Sequence, residues 1–253
     1  MRTTRPRTAT LTAAAATTGV VLAALSACGT TPHRPTATGP ATPATAAAAS
    51  PATPSAPSPA EPNGAALRVL LPTAAQLASG ITVSGVYDTG TDVTAEADLP
   101  TPSLPGADCS ATPSLNADVA TADFRAAYAS EELDNNGASL QLIVASTNPG
   151  DAAKQMAEIR ALAARCASFT APDSTGLSVG GTLALDAFAG IGDDAIRIRV
   201  AAAGPNAAHY SQPEVVLVRV GNKLAAVSDN DLSRTEGATV SIAKYLATRL
   251  AGK

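Results

Sequence analysis

Apolar side chains recur along residues 81–251 at two periods, and the switches between them divide the chain into strands and helices. Ile81, Val83 and Tyr87 fall mostly at alternate positions before Asp88-Thr89-Gly90, which predicts a strand entering a turn. Phe124, Ala126 and Tyr128 alternate with Arg125 and Ala127, and Leu140, Leu142 and Val144 share one face of residues 139–146. Between these runs, Asp134-Asn135-Asn136-Gly137 offers the left-handed backbone positions that hairpins favour. Asn148-Pro149-Gly150-Asp151 ends the second strand, with Asp151 as the predicted helix N-cap. Ala152, Met156, Ile159, Ala163 and Cys166 then form one stripe at helical spacing.

Strands follow at 183–188, at 196–200 (Ile196, Ile198 and Val200 alternating with Arg197 and Arg199), at 215–220 and at 224–228. Residues 235–251 close the chain as a helix, with Val240, Ala243, Ala247 and Leu250 on one side. A first helix is predicted over Leu67–Ser79, and the Pro-, Gly- and Asp-rich stretch 98–118 reads as a loop. Short hairpin connections make the sheet mainly antiparallel and twisted, with helices packed on a face, so the fold class is α+β. The second half echoes the order of the first without a residue-level repeat.

The first 63 residues follow other rules. Arg2, Arg5 and Arg7 precede an uncharged stretch of fifteen residues, Leu11–Leu25, which is too short for a comfortable bilayer span and fits the apolar core of a signal peptide. Leu25-Ser26-Ala27-Cys28 resembles a bacterial lipobox. That resemblance implies export, a diacylglycerol thioether on Cys28 and cleavage just before it, leaving residues 1–27 as the signal. Two acyl chains hold a protein at a membrane far more firmly than one, so the predicted location is the extracytoplasmic face of the cell membrane.

Residues 28–63 contain nine Pro, ten Ala, seven Thr and three Ser, and only Arg34 and Glu61 are charged. Such a segment buries too little apolar surface to offset its chain entropy, so a disordered tether is predicted. It would reach roughly 30 Å as a coil and about 100 Å if stiff. Its composition also suits an O-glycosylated stalk, and equally an unmodified linker. The remaining residues, 64–253, suffice for one domain.

Charge narrows the function classes. Removing Arg2, Arg5 and Arg7 takes the formal charge from -4 to -7, which argues against nucleic acid as a partner. Three cysteines occur. With Cys28 assigned to lipid, Cys109 and Cys166 remain, and an oxidising compartment makes a disulfide their expected use. Two free thiols are the alternative. The chain has no Trp and seven other aromatics, all beyond residue 63, so a core of small aliphatic side chains is expected.

Three stretches carry a family resemblance. They are Leu70-Leu71-Pro72-Thr73-Ala74-Ala75-Gln76-Leu77, the segment from Asn148-Pro149 to Cys166, and Phe188-Ala189-Gly190-Ile191-Gly192-Asp193-Asp194-Ala195. Most of residues 65–251 resembles the extracytoplasmic sensor-like domains of actinobacterial lipoproteins, such as the domain outside the membrane in the mycobacterial receptor kinase PknH. The resemblance implies a twisted antiparallel sheet, two main helices and a cleft for a small ligand. This chain departs from the family in allowing one disulfide where two are frequent, and in lacking the Trp often found near the central helix. No kinase function transfers, because the chain has no GxGxxG loop and no HRD-type motif.

Candidate chemistry is sparse. Asp193 and Asp194 are adjacent, so their side chains should point apart, one bonding backbone N–H groups in a polar turn. Arg197, Arg199 and Arg219 are expected on one face of adjacent strands, either as an anion-binding patch or as a solvated face paired to acids. Tyr210, in a loop beside His209, completes the candidate ligand set. His209 is the only His in the predicted domain, and no nucleophile elbow, metal-ligand cluster or phosphate loop accompanies it. The expectation is a non-catalytic, cofactor-free domain that binds a small cell-envelope ligand. The alternative is an envelope accessory protein acting through protein contacts, which requires an exposed apolar patch.

Overall fold

The computed structural model describes residues 63–89, 102–135, 137–231 and 238–252. The predicted signal segment, Cys28 and the predicted tether up to residue 62 lie outside the described residues.

Helix α1 spans Gly64–Arg68 and is capped by the Asn63 side chain, whose oxygen accepts from the Ala66 N–H at 2.9 Å. The predicted helix over Leu67–Ser79 is therefore displaced and broken. Pro72 disfavours helical backbone at the residue before it, and only a single 3₁₀ turn, Ala74–Gln76, follows. Strands β1 (Ile81–Asp88), β2 (Arg125–Asn135) and β3 (Ala138–Thr147) form an antiparallel meander. Residues 102–116, predicted as loop, contain one 3₁₀ turn before the short helix α2 (Ala117–Thr121).

Helix α3 (Asp151–Arg165) carries the chain from β3 across the sheet to its far edge. Its N-cap is Gly150 at φ 87°, a left-handed position that suits glycine, and Asp151 is the first helical residue rather than the cap. The Asp151 carboxylate instead accepts from Lys154 at 2.7 Å. Strands β4 (Ser168–Pro172), β5 (Ser178–Ala187), β6 (Asp194–Ala202), β7 (Glu214–Val220) and β8 (Lys223–Asp229) then return toward the centre, and α4 (Ala238–Leu250) ends the fold. The sheet order is β1-β2-β3-β8-β7-β6-β5-β4, with every pairing antiparallel. Strand β4 was not predicted, because Ser168, Thr170 and Pro172 do not read as a buried strand; it is an edge strand, where such residues are tolerated.

Helices cover both faces of the sheet, not one. On one face α1 and α4 bury Leu67, Ile242 and Leu246 against Leu142, Val216 and Val227. On the other, α2 and α3 bury Ala120, Met156 and Ile159 against Ile143, Ile198 and Leu217. The helical stripe Ala152, Met156, Ile159, Ala163 and Cys166 is buried as the periodicity predicted, joined by Gln155 and Leu162. The largest fully buried side chains are all Leu, Ile and Met, while the aromatics sit at the margins of the core. Cys109 and Cys166 form a disulfide that closes a 57-residue separation and staples the 102–116 segment to the end of α3.

The α1/α4 face also buries acids. Glu131 is buried beside Arg68, and the loss of hydration pushes its carboxyl up to about 7, with Arg68 only partly opposing. Burial likewise raises Asp229, whose backbone bond from Asp231 acts against the shift while the charge of Glu214 adds to it.

Two predictions follow from this packing. A folded-state pKa above the unfolded value means that the stability tied to Glu131 is complete below pH 4.5 and is lost as pH rises through about 7. The Glu131→Gln variant should match the parent near pH 4.5 and exceed it by roughly 1–2 kcal/mol at pH 8, measured by urea unfolding across that range. Replacing Cys109 and Cys166 together with Ser should cost about 4 kcal/mol by the loop-closure estimate, measured by the same unfolding assay under non-reducing conditions.

Candidate functional site

The register separates the three candidate arginines. Arg197 and Arg199 pair with Val216 and Glu214 on the α1/α4 face, whereas Arg219 pairs with Asp194 on the α2/α3 face. The expectation of one three-arginine patch is thus corrected. Side chains alternate along a strand, and both the β6–β7 and the β7–β8 pairings put Arg219 in phase with Leu217.

Each arginine is also engaged. The Arg197 guanidinium donates to the carboxylate of Glu214, which is fully buried and accepts a second bond from the Thr239 hydroxyl at the start of α4. Arg199 meets Asp186 at 2.5 Å in a half-exposed pair across β5 and β6. Arg219 lies 3.4 Å from Asp193. Asp193 and Asp194 do point apart: Asp193 accepts from the Gly221 N–H at 2.7 Å, and Asp194 accepts from Arg160 of α3 at 2.7 Å. These carboxylates tie β6 to the β7–β8 turn and to α3.

Tyr210 lies elsewhere, in the loop between β6 and β7. Its hydroxyl donates to Asp173 at 3.2 Å, linking that loop to the β4–β5 turn. Partial burial first, and then the bond to Asp173 and its charge, raise the Tyr210 phenol. The Asp173 carboxyl is lowered, chiefly by the Thr175 hydroxyl bond. His209 belongs to a 3₁₀ turn of the same loop. Among the described residues, no group of three or more His, Cys, Asp or Glu could hold a metal ion.

Tyr210 borders a groove at one end of the sheet, where β3 and β7 begin and β6 and β8 end. The larger compartment, about 350 Å³, lies among Asn116, Glu132, Ser139, Gln141, Ser228 and Asn230. A smaller one, about 140 Å³, is bordered by Phe169, Pro172, Val179, Val200 and Tyr210. The compartments share Pro113, Ser211 and Pro213 as walls. The disulfide holds the 102–116 wall in place, with Arg165 donating to the Pro105 carbonyl at 2.8 Å. Asn116 caps α2 by accepting from the Val119 N–H at 2.9 Å, and the Gln141 oxygen accepts from the Asp118 N–H at 3.2 Å, which seats α2 on β3.

Of the sequence-predicted ligand residues, only Tyr210 touches this groove. Glu132, Gln141 and Ser228 were missed. Their signal was polarity in the wrong phase: Gln141 and Ser228 interrupt strand faces that continue with Ile143, Ala145 and Ala226 in the core.

No family model matches the chain, and no curated protein matches it. Among solved structures, the extracellular domain of PknH from Mycobacterium tuberculosis matches with a TM-score of 0.50 at 14% identity, covering 74% of this chain and 95% of that one. A putative uncharacterized protein from Mycobacterium smegmatis, the Rv0999 ortholog, matches with a TM-score of 0.36 at 12% identity, covering 70% of this chain and 90% of that one. The domain has the fold of the PknH extracellular domain.

The ion pairs differ in what they hold. Arg197→Ala leaves the Glu214 charge buried without its cation and should destabilise the domain by about 3 kcal/mol. Arg199→Ala should change stability by less than about 1 kcal/mol. Urea unfolding of both variants checks the contrast.

Proposed function

We propose that the chain is an exported lipoprotein, anchored through diacylglycerol on Cys28 at the extracytoplasmic face of the cell membrane, whose sensor-like domain binds a small cell-envelope ligand without catalysing a reaction. One observation carries the binding reading. The domain has a two-compartment groove, one part polar and one apolar, with the size and mixed lining usual for small-molecule sites. The shared fold with a domain that is extracellular in PknH supports an extracytoplasmic place. The charged n-region, the apolar run and the Leu-Ser-Ala-Cys sequence support the anchor. The protein-contact alternative draws little support, since the exposed large hydrophobics among the described residues are Val69, Tyr87 and Leu177, at separate points of the fold.

Two measurements test this. Protein purified from native envelope should release a bound small molecule on denaturation, seen by mass spectrometry, and envelope extract should raise the Tm of the emptied protein. Absence of both effects removes the binding reading. Cys28→Ala should abolish metabolic lipid labelling and release the protein from the membrane fraction; retention at the membrane would remove the anchor assignment.

A further inference from the structure

The register of the groove indicates what kind of ligand it takes. Glu132 on β2 pairs with Gln141 on β3, and Gln141 pairs with Ser228 on β8. Their side chains therefore form one row across three neighbouring strands, about 4.8 Å apart at each step. The row runs from carboxylate to amide to hydroxyl. Ser228 is only 6% exposed, yet its hydroxyl makes no hydrogen bond to a described residue. Gln141 and Asn116 commit their oxygens to the Asp118 and Val119 N–H groups, which leaves both NH₂ groups free to donate. The hydroxyls of Ser139 and Ser211 and the side chain of Asn230 are likewise unspent.

Cationic groups are missing from this inventory. Among the described residues, no Lys, Arg or His lines either compartment, and the acids around the groove are Glu132, Asp229 and Asp173. An anionic ligand would meet no countercharge from these described residues. The side chain of Asp229 lies on the opposite face of the sheet, in phase with Leu140, which leaves Glu132 as the acid of the polar row. One exposed carboxylate among so many neutral donors and acceptors suits hydroxyl groups, which donate to a carboxylate and both accept from and donate to amides and serines. Beyond the shared wall, the smaller compartment presents Phe169, Val179, Val200 and the ring of Tyr210, with Tyr210 held by Asp173.

We infer that the groove binds an uncharged glycoside, with the sugar hydroxyls on the Glu132–Gln141–Ser228 row and an apolar substituent in the Phe169–Tyr210 compartment. This rests on the ligand-binding reading above. The probes are a set of octyl glycosides (glucoside, galactoside, mannoside and maltoside) below their micelle concentrations, with octyl phosphate and octyltrimethylammonium as partners of equal tail and opposite charge. Calorimetric titration of the purified full chain should show saturable binding of at least one glycoside, tenfold or more tighter than either charged amphiphile. Tighter binding of the phosphate or the ammonium compound would overturn the glycoside assignment and leave the broader binding reading standing. No saturable binding of any probe would also overturn it, while a copurifying molecule would still uphold the broader reading. Ser228→Ala and Glu132→Gln should each weaken the glycoside at least fivefold with Tm unchanged, and Arg199→Ala should not. Unchanged affinity in both groove variants would overturn the placement.

Discussion

The pairing of β3 with β8 is the contact on which the rest of the fold depends. It joins a three-strand meander made early in the chain to a five-strand meander made late, along seven residue pairs from Leu140↔Asp229 to Ser146↔Lys223. Along it, Leu142, Val144, Ala225 and Val227 on one face and Ile143 and Ala226 on the other are fully buried. Alanines on β8 keep this central ladder thin, so helices approach closely from both sides. With few aromatics available, close approach of aliphatic side chains supplies the dispersion contacts that bulky rings provide in other cores.

That pairing also explains the charge layout. Because α3 carries the chain to the far edge, strand β7 lies well inside the sheet, with both faces of Glu214–Val218 buried. Polar side chains there must be paired to be tolerated. Arg197, Glu214 and Thr239 form such a set, sealing the start of α4 against the sheet. Arg197, which looks in sequence like part of a recognition patch, thus serves the interior, and the groups left unspent collect where strands end and coverage stops.

Much of the fold was legible because the periodic signals were local. The hairpin at 134–137, the buried stripe of α3 and the strands from 183 to 228 follow from alternation and turn residues that need no distant partner. What was not legible depended on context. Pro72 broke an otherwise helical run, β4 gained its strand geometry only from pairing with β5, and Gly150 displaced Asp151 from the cap because the turn needed a left-handed residue. Arg219 was misplaced for a different reason. Its face depends on the phase of β7 relative to β6, which pairing sets and sequence spacing does not. The groove was hardest to foresee, since its walls come from segments over a hundred residues apart. Its one local trace was polar Gln141 and Ser228 in core phase.

Gly64 opens the domain on the α1/α4 face, and its backbone N–H donates to the Thr89 carbonyl at 2.9 Å. A Cβ at that position would come within 2.5 Å of the backbone of Thr89 and Tyr128, so the entry point of the chain is sterically locked to β1 and β2. The polar row of the groove faces the other side of the sheet. The domain therefore has a built-in polarity: its first described residues are fixed against one face, and the polar row opens on the other.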